Sequence, residues 1–406
     1  MKPFVSLHVR EYRRFWSGQV ISLIGTWMHH VAQGWLIYKL TKSPLFLGLG
    51  GAALTLPILL FTLFGGIIAD KYKKRNVLLF TQSIATLPPI VLGILTVSNV
   101  VTVWHVIIIA FFMGTINAIE IPVRQSFLIE MVGKDKLLNA IALHSAAFNG
   151  ARMLGPLLAG FIIEKGDLSI CFFINSISFI PVIMALKSIK IDGFVYTGKS
   201  SGILNNLKEG AGFIINNKDI SSIFLTIMVF SLFGIPYTQF LPVFAEDILH
   251  TGAKGLGLLM SSAGLGAFTG AVVLALRGSM KRKEIYMFLS SLLYPASLLV
   301  FSLSRIPTLS YIVLFTAGFS IVTFLANANN TIQLLVSNDL RGRVMSVYSL
   351  VFLGMAPLGS TLLGIIASSI STSLTITLSS TVALTAGILF TRAEIRRLKL
   401  LFLQSL

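Results

Sequence analysis

Asn117, Glu120 and Arg124 stand at steps of three and four at the end of the apolar run VIIIAFFMGTIN and in the AIEIPVRQ that follows it. That spacing puts all three on one face of a helix. A carboxylate and a guanidinium in such a run are costly to bury, so each needs a partner or a task. The next apolar run holds His144, Asn149 and Arg152. The first run holds Gln19, Thr26, His30 and Gln33 at steps of seven, four and three, again one face, with His29 at its edge. The chemistry open to this set is proton handling and charge pairing. A histidine inside a span is a candidate proton carrier because its unperturbed pKa lies near neutrality. Glu120 can pair with Arg124 or with Arg152. A carboxylate that sheds an arginine and gains a proton in one state would couple protons to a conformational change; a permanent pair would only lock the helices. His29 and His30 are adjacent and do not face one another, and no His, Asp or Glu stands at chelating spacing, so no metal site is expected. Cys171 is the only cysteine, which leaves no internal disulfide and no thiolate cluster. No nucleophile–base pair and no phosphate loop stands out, so neither an enzyme nor a cofactor is expected, and ATP is not the expected energy source.

The elements that must position these residues follow from composition. The chain has 406 residues, 55% of them hydrophobic and 12% charged, against about 25% charged in a soluble domain. About 20 apolar residues cross a bilayer as a helix. Twelve such segments can be drawn, near 15–38, 45–69, 77–97, 103–130, 137–163, 168–188, 220–245, 255–276, 284–304, 308–335, 342–370 and 372–391. The runs are too long and too uniformly apolar for barrel strands. The net charge of +17 could suggest nucleic acid, but its placement argues for a membrane. With a cytoplasmic N-terminus, 25 of the 32 lysines and arginines fall in cytoplasmic loops and tails, while Lys39, Lys42, Lys165, Lys254 and Arg305 fall outside and Arg124 and Arg152 lie within spans. That bias sets the orientation, with both termini cytoplasmic, and puts the basic patches against an anionic leaflet.

The longest polar stretch, 189–219, separates two six-helix halves, 1–188 and 220–391, with a basic tail at 392–406. Within it Leu204, Leu207, Ala211, Ile214 and Ile215 recur at helical spacing and predict an amphipathic helix on the cytoplasmic surface. The halves repeat. Residues 132–162 laid on 336–366 match at ten of 31 positions, including Asp135 with Asp339, Gly150 with Gly354, Gly155 with Gly359 and Gly160 with Gly364. The GLG of 48–50 also recurs at 255–257. A parallel repeat predicts a rocking transporter with its substrate between the halves. The same offset sets Glu120, Arg124, His144 and Arg152 against Phe324, Ala328, Tyr348 and Ala356. The N-terminal half therefore holds the charges. The C-terminal half offers Tyr237, Gln239, Asn327, Asn329, Asn330 and Gln333 as neutral hydrogen-bonding groups.

The loop GGIIADKYKKR resembles the signature loop of the major facilitator superfamily at Gly66, Asp70, Lys71, Lys74 and Arg75. Gly66 would permit a close helix contact, and Asp70 would pair in one conformation and release in the other. The stretches FWSGQVISLIGTWMHHVAQGWLIYKLTKSPLFLGL, IPVRQSFLIEMV, NAIALHSAAFNGARMLGPLLAG and LRGRVMSVYSL are similar to the branch containing enterobactin exporters and macrolide-efflux proteins. The resemblance implies an all-α membrane protein of twelve helices in two bundles related by a pseudo-two-fold axis along the membrane normal. It also implies alternating access and proton-driven export of small amphipathic drugs, antibiotics or siderophores by a monomer in the inner membrane. A lysolipid transporter and a non-transporting sensor or assembly factor are the alternatives. Two departures bear on proton coupling. Arg277 stands where the repeat would place Asp70, and the fourth span lacks the Arg-x-x-x-x-Gly pattern of many drug–proton antiporters.

Overall fold

The computed structural model describes residues 4–191, 203–277 and 283–404, and these residues form helices with no strand among them. The polar stretch 192–202, the loop 278–282 with the degenerate second copy of the signature, and the terminal residues 1–3 and 405–406 lie outside the described residues. The helices are α1 (Arg10–Thr41), α2 (Pro44–Lys71), α3 (Lys74–Val97), α4 (Val103–Glu164), α5 (Ser169–Ser188), α6 (Ile203–Asn216), α7 (Lys218–Ile248), α8 (Gly252–Arg277), α9 (Lys283–Leu303), α10 (Pro307–Leu335), α11 (Asn338–Ser369) and α12 (Thr372–Gln404).

Their ends follow local chemistry. Pro44 and Pro307 open α2 and α10, where a missing N–H costs nothing. Thr102 and His105 form a reciprocal capping box at the start of α4. The Asn217 side chain accepts from the Ile220 N–H at 3.2 Å to begin α7. Among the described residues, ten helices are long and apolar enough to cross a membrane. The 32-residue α1 is not among them; its polar face dilutes its hydropathy. The two spans expected at 103–130 and 137–163 both lie in α4 (Val103–Glu164), whose 62 residues are two helices meeting at a kink. Gly133 divides it, at φ 72 and ψ 170, a backbone shape that glycine adopts without strain. The last helix continues through the basic tail to Gln404.

Large apolar side chains such as Phe80, Ile108, Met184 and Leu303 point outward, as a bilayer demands of a surface that water would penalise. Inside, Phe230, Phe244, Phe301 and Phe324 are fully buried, with the Phe244 and Phe301 rings 4.4 Å apart. Helices meet through small residues, which let backbones approach in the absence of a hydrophobic drive between them. A Cβ on Gly257 of α8 would lie 2.9 Å from the Gly160 Cα of α4, and one on Gly48 of α2 would lie 3.1 Å from the Gly364 Cα of α11. The repeated glycines thus make matching contacts: Gly155 abuts Ile24 and Trp27 of α1, and Gly359 abuts Leu232 and Pro236 of α7.

Polar links across the two halves gather at the same end of the molecule. Lys39 and Lys42 reach Glu246 at 2.7 and 3.4 Å, the Tyr38 hydroxyl donates to Asp247, and Lys254 stands 3.7 Å from Glu164. At the end bearing the basic loops, a Cβ added at Gly66 or Gly342 would meet no neighbour within 4 Å. Helix α6 lies against the start of α11, where Gly210 contacts the Arg343 backbone and Glu209 pairs with the Arg343 guanidinium.

Candidate functional site

Between the halves, beneath the linked end, lies a cavity of about 300 Å³. Helices α1, α2 and α4 supply one wall through Trp27, His30, Gln33, Gly34, Gly50, Gly51 and Arg152. Helices α7 and α8 supply the other through Thr238, Gln239, Pro242 and Met260. The chain can aim side chains there because α7 is irregular. It passes from a π-turn at Phe230–Gly234 into a 3-10 turn at Ile235–Phe240, then into a second π-turn at Phe244–Ile248. Pro236 and Pro242 remove ladder donors within this stretch. Gly51 makes room for Gln239, whose Cδ would lie 2.5 Å from a Cβ there.

Of the residues singled out from the sequence, His30, Gln33, Arg152 and Gln239 line this cavity. The His30 ring meets Trp27 edge-on at 5.7 Å, and the Arg152 guanidinium carbon stands 5.7 Å from the Trp27 ring centroid. His29 points away. It is buried against Phe172, with its Nε2 3.2 Å from Gln33 Oε1, so it holds Gln33 in place from behind. Trp27, Gly34, Gly50, Gly51, Thr238 and Met260 were not anticipated. Trp27, His30 and Gly34 share a face at steps of three and four, a signal that attention to polar residues alone passes over.

Glu120 pairs with Arg124, Nη1 to Oε1 at 2.7 Å on the same helix. Between the two partners left open by spacing, the structure selects Arg124. The Glu120 carboxylate side chain is 6% exposed and the pair stands off the cavity wall, with His144 close enough to feel the Arg124 charge. The remaining polar residues of this group serve their own helices. Thr26 donates to the Ser22 carbonyl at 2.9 Å and Asn149 to the Ser145 carbonyl at 2.9 Å. Gln19 is buried, and Asn117 is partly buried and lines no part of the cavity. On α10, Asn327 donates to the Thr323 carbonyl at 2.8 Å, Gln333 donates to Asn329 at 2.6 Å, and Asn330 is exposed. Tyr237 is buried beside Phe301. Expected as cavity residues, none of these lies on the cavity wall; back-bonding to the preceding turn is the reason for Thr26, Asn149 and Asn327.

The signature loop splits into parts. Lys74 forms a buried 2.7 Å pair with Glu130, and Arg75 donates to the Leu186 and Lys187 carbonyls at the end of α5. Asp70 and Lys71 are exposed, and among the described residues the Asp70 carboxylate forms no ion pair. The close helix contact expected of Gly66 is made by Gly65, where an added Cβ would collide with the Ala118 carbonyl oxygen. The groups of three or more His, Cys, Asp or Glu side chains that would hold a metal are absent among the described residues.

A helical membrane body with a central cavity is the architecture of major facilitator transporters, and solved structures share this fold. A bacterial homolog of the human lysosomal transporter Spinster, inward-facing and unoccupied, superposes with a TM-score of 0.74 at 12% identity, covering 98% of each chain. The nucleoside transporter NupG superposes with a TM-score of 0.73 at 12% identity, covering 94% of this chain and 98% of that one. Residues 1–405 match the family model for transmembrane secretion effectors, and the chain belongs to that family. It is 27% identical to the staphyloferrin A transporter of Staphylococcus aureus over 87% of this chain and 88% of that protein. It is 19% identical to macrolide efflux protein A of Streptococcus pyogenes over 96% and 98%, and 23% identical to the multidrug efflux pump Tap of Mycolicibacterium fortuitum over 84% and 85%. The chain is a multi-pass membrane transporter and not an enzyme.

Proposed function

We propose that the protein exports small amphipathic molecules, drug-like or siderophore-like, across the inner membrane by alternating access driven by proton antiport. The observation that carries this reading is the cavity between the halves, mostly apolar with a few convergent polar groups, beneath an end held shut by cross-half links. In this reading the chain has twelve spans, with Gly133 parting two of them and α1 completing the set. Bundles 1–188 and 220–391 rock about a pseudo-two-fold axis along the membrane normal, with 189–219 as the cytoplasmic connector. The reciprocal glycine contacts of Gly160 with Gly257 and Gly364 with Gly48 support that symmetry. Both termini lie in the cytoplasm against anionic lipid, so the linked end faces outward and the cavity opens inward, toward its cargo. Glu120 takes the proton and Arg124 gives up the carboxylate when it does. Asp70, exposed in this state, pairs in the outward-open one.

The test is uptake into inverted vesicles, with and without an imposed pH gradient, over a panel of macrolides, siderophores and lysolipids. Proton antiport predicts gradient-dependent uptake of at least one amphiphile. Uptake that ignores the gradient and stops on ATP removal would sink that mechanism, and absence of transport for every compound would favour a sensor.

A further inference from the structure

Among the described residues, Arg152 is the one arginine, lysine, aspartate or glutamate on the wall of the central cavity, where His30 is the other ionisable side chain. Arg152 is partly buried in α4, with its guanidinium carbon 5.7 Å from the Trp27 ring centroid. Among the described residues its guanidinium forms no ion pair and donates no hydrogen bond, and no aspartate or glutamate lines the cavity. Glu120, on the same α4, is engaged by Arg124 off the cavity wall. A cation held within a membrane span without a counter-charge is costly. A guanidinium with its donors free is suited to bidentate capture of a planar anion.

We propose that the cavity selects amphiphiles bearing a carboxylate, which Arg152 binds through its free N–H donors while the apolar body lies against Trp27, Leu54 and Met260. This rests on the reading of the cavity as the transport site and adds the charge of the cargo to it. Gln33 and Gln239 face the same space from opposite halves and supply neutral donors around the anion. The Trp27 ring lies 5.7 Å from the guanidinium carbon, a cation–π contact on the same cavity wall. Lysine would keep the charge and lose the fork.

The experiment uses the purified full chain in a neutral maltoside detergent with dansylglycine and its carboxamide, a pair that differ by one charge. Binding is read as energy transfer from tryptophan to the dansyl group. The wild type is expected to favour the acid over the amide on the order of tenfold, the scale of one charge-assisted hydrogen-bonding contact. Arg152→Gln is expected to bring the two within about twofold by weakening the acid alone, and Arg152→Lys to retain part of the preference. Melting temperature and gel filtration on both variants check that they fold, and the amide affinity serves as an internal control on the cavity. Equal binding of acid and amide by the wild type overturns the anion subsite and leaves amphiphile export standing. So does an Arg152→Gln variant that weakens both probes equally. Binding of neither probe to a folded wild type overturns the cavity as a binding site, and with it both readings.

Discussion

Glu120 and Arg124 sit one helical turn apart, a geometry in which each can be freed without moving a helix. If Glu120 carries the proton, Glu120→Gln removes the titrating group while keeping its shape. We expect gradient-driven transport in proteoliposomes to fall at least tenfold while substrate binding persists; transport at the full rate would end Glu120's role. The Lys74–Glu130 pair is a different case. Both side chains are about nine-tenths buried, and removal of one member leaves the other charged in a dry site. Lys74→Met is expected to cost about 3–5 kcal/mol, whereas replacing both partners by apolar residues costs far less. Thermal or denaturant melts of the single and double variants distinguish them. At this scale the sequence was partly legible. Spacing put Glu120 and Arg124 on one face, while residue type singled out Gln33 and Gln239 for the substrate and His30 and Arg152 for protons and charge pairing, and all four line the cavity. Spacing could not show that Thr26, Asn149 and Asn327 satisfy themselves on their own helices, since back-bonding and cross-helix bonding look alike in a string of letters.

Among the elements, α4 and α8 depend on the glycines at their crossing. Gly160→Leu would drive a side chain into the Gly257 backbone, which cannot yield as a flexible side chain would. The variant is expected to lose the closed arrangement of this end, read as an increase in distance between spin labels placed at Lys165 and Leu249 in the two halves. A control variant at Gly150, where no neighbour stands within reach of a Cβ, should leave the distance unchanged. Helix identity was legible from apolar runs because a span needs length and uniform hydropathy. The break within α4 falls at Gly133, between the runs 103–130 and 137–163, where the sequence places a connector. The irregular course of α7 was not legible. Its prolines marked a weakness, but whether the ladder there shifts to π or 3-10 turns depends on what packs against it.

For the whole molecule, the proposed alternating-access cycle sets the balance between its states on a few links such as Lys39–Glu246 and Lys254–Glu164. Glu246 is a quarter exposed and shared by Lys39 and Lys42. Pairs at such sites contribute about 0–1 kcal/mol. Glu246→Gln is therefore expected to shift the population toward the opposite opening by up to about fivefold. Raised salt should produce the same shift in the wild type and little in the variant, as the label distances would reveal. The sequence by itself determined that the chain spans a membrane many times and that few charges lie within the spans. Those properties follow from hydropathy, periodicity and the distribution of lysine and arginine, which act locally along the chain. Only the tertiary structure decided which polar residues face the cavity, that Arg124 rather than Arg152 holds Glu120, and at which end the links of Glu246 and Glu164 gather. These depend on the rotation of each helix about its own axis and on contacts between residues some two hundred positions apart, such as Lys39 with Glu246.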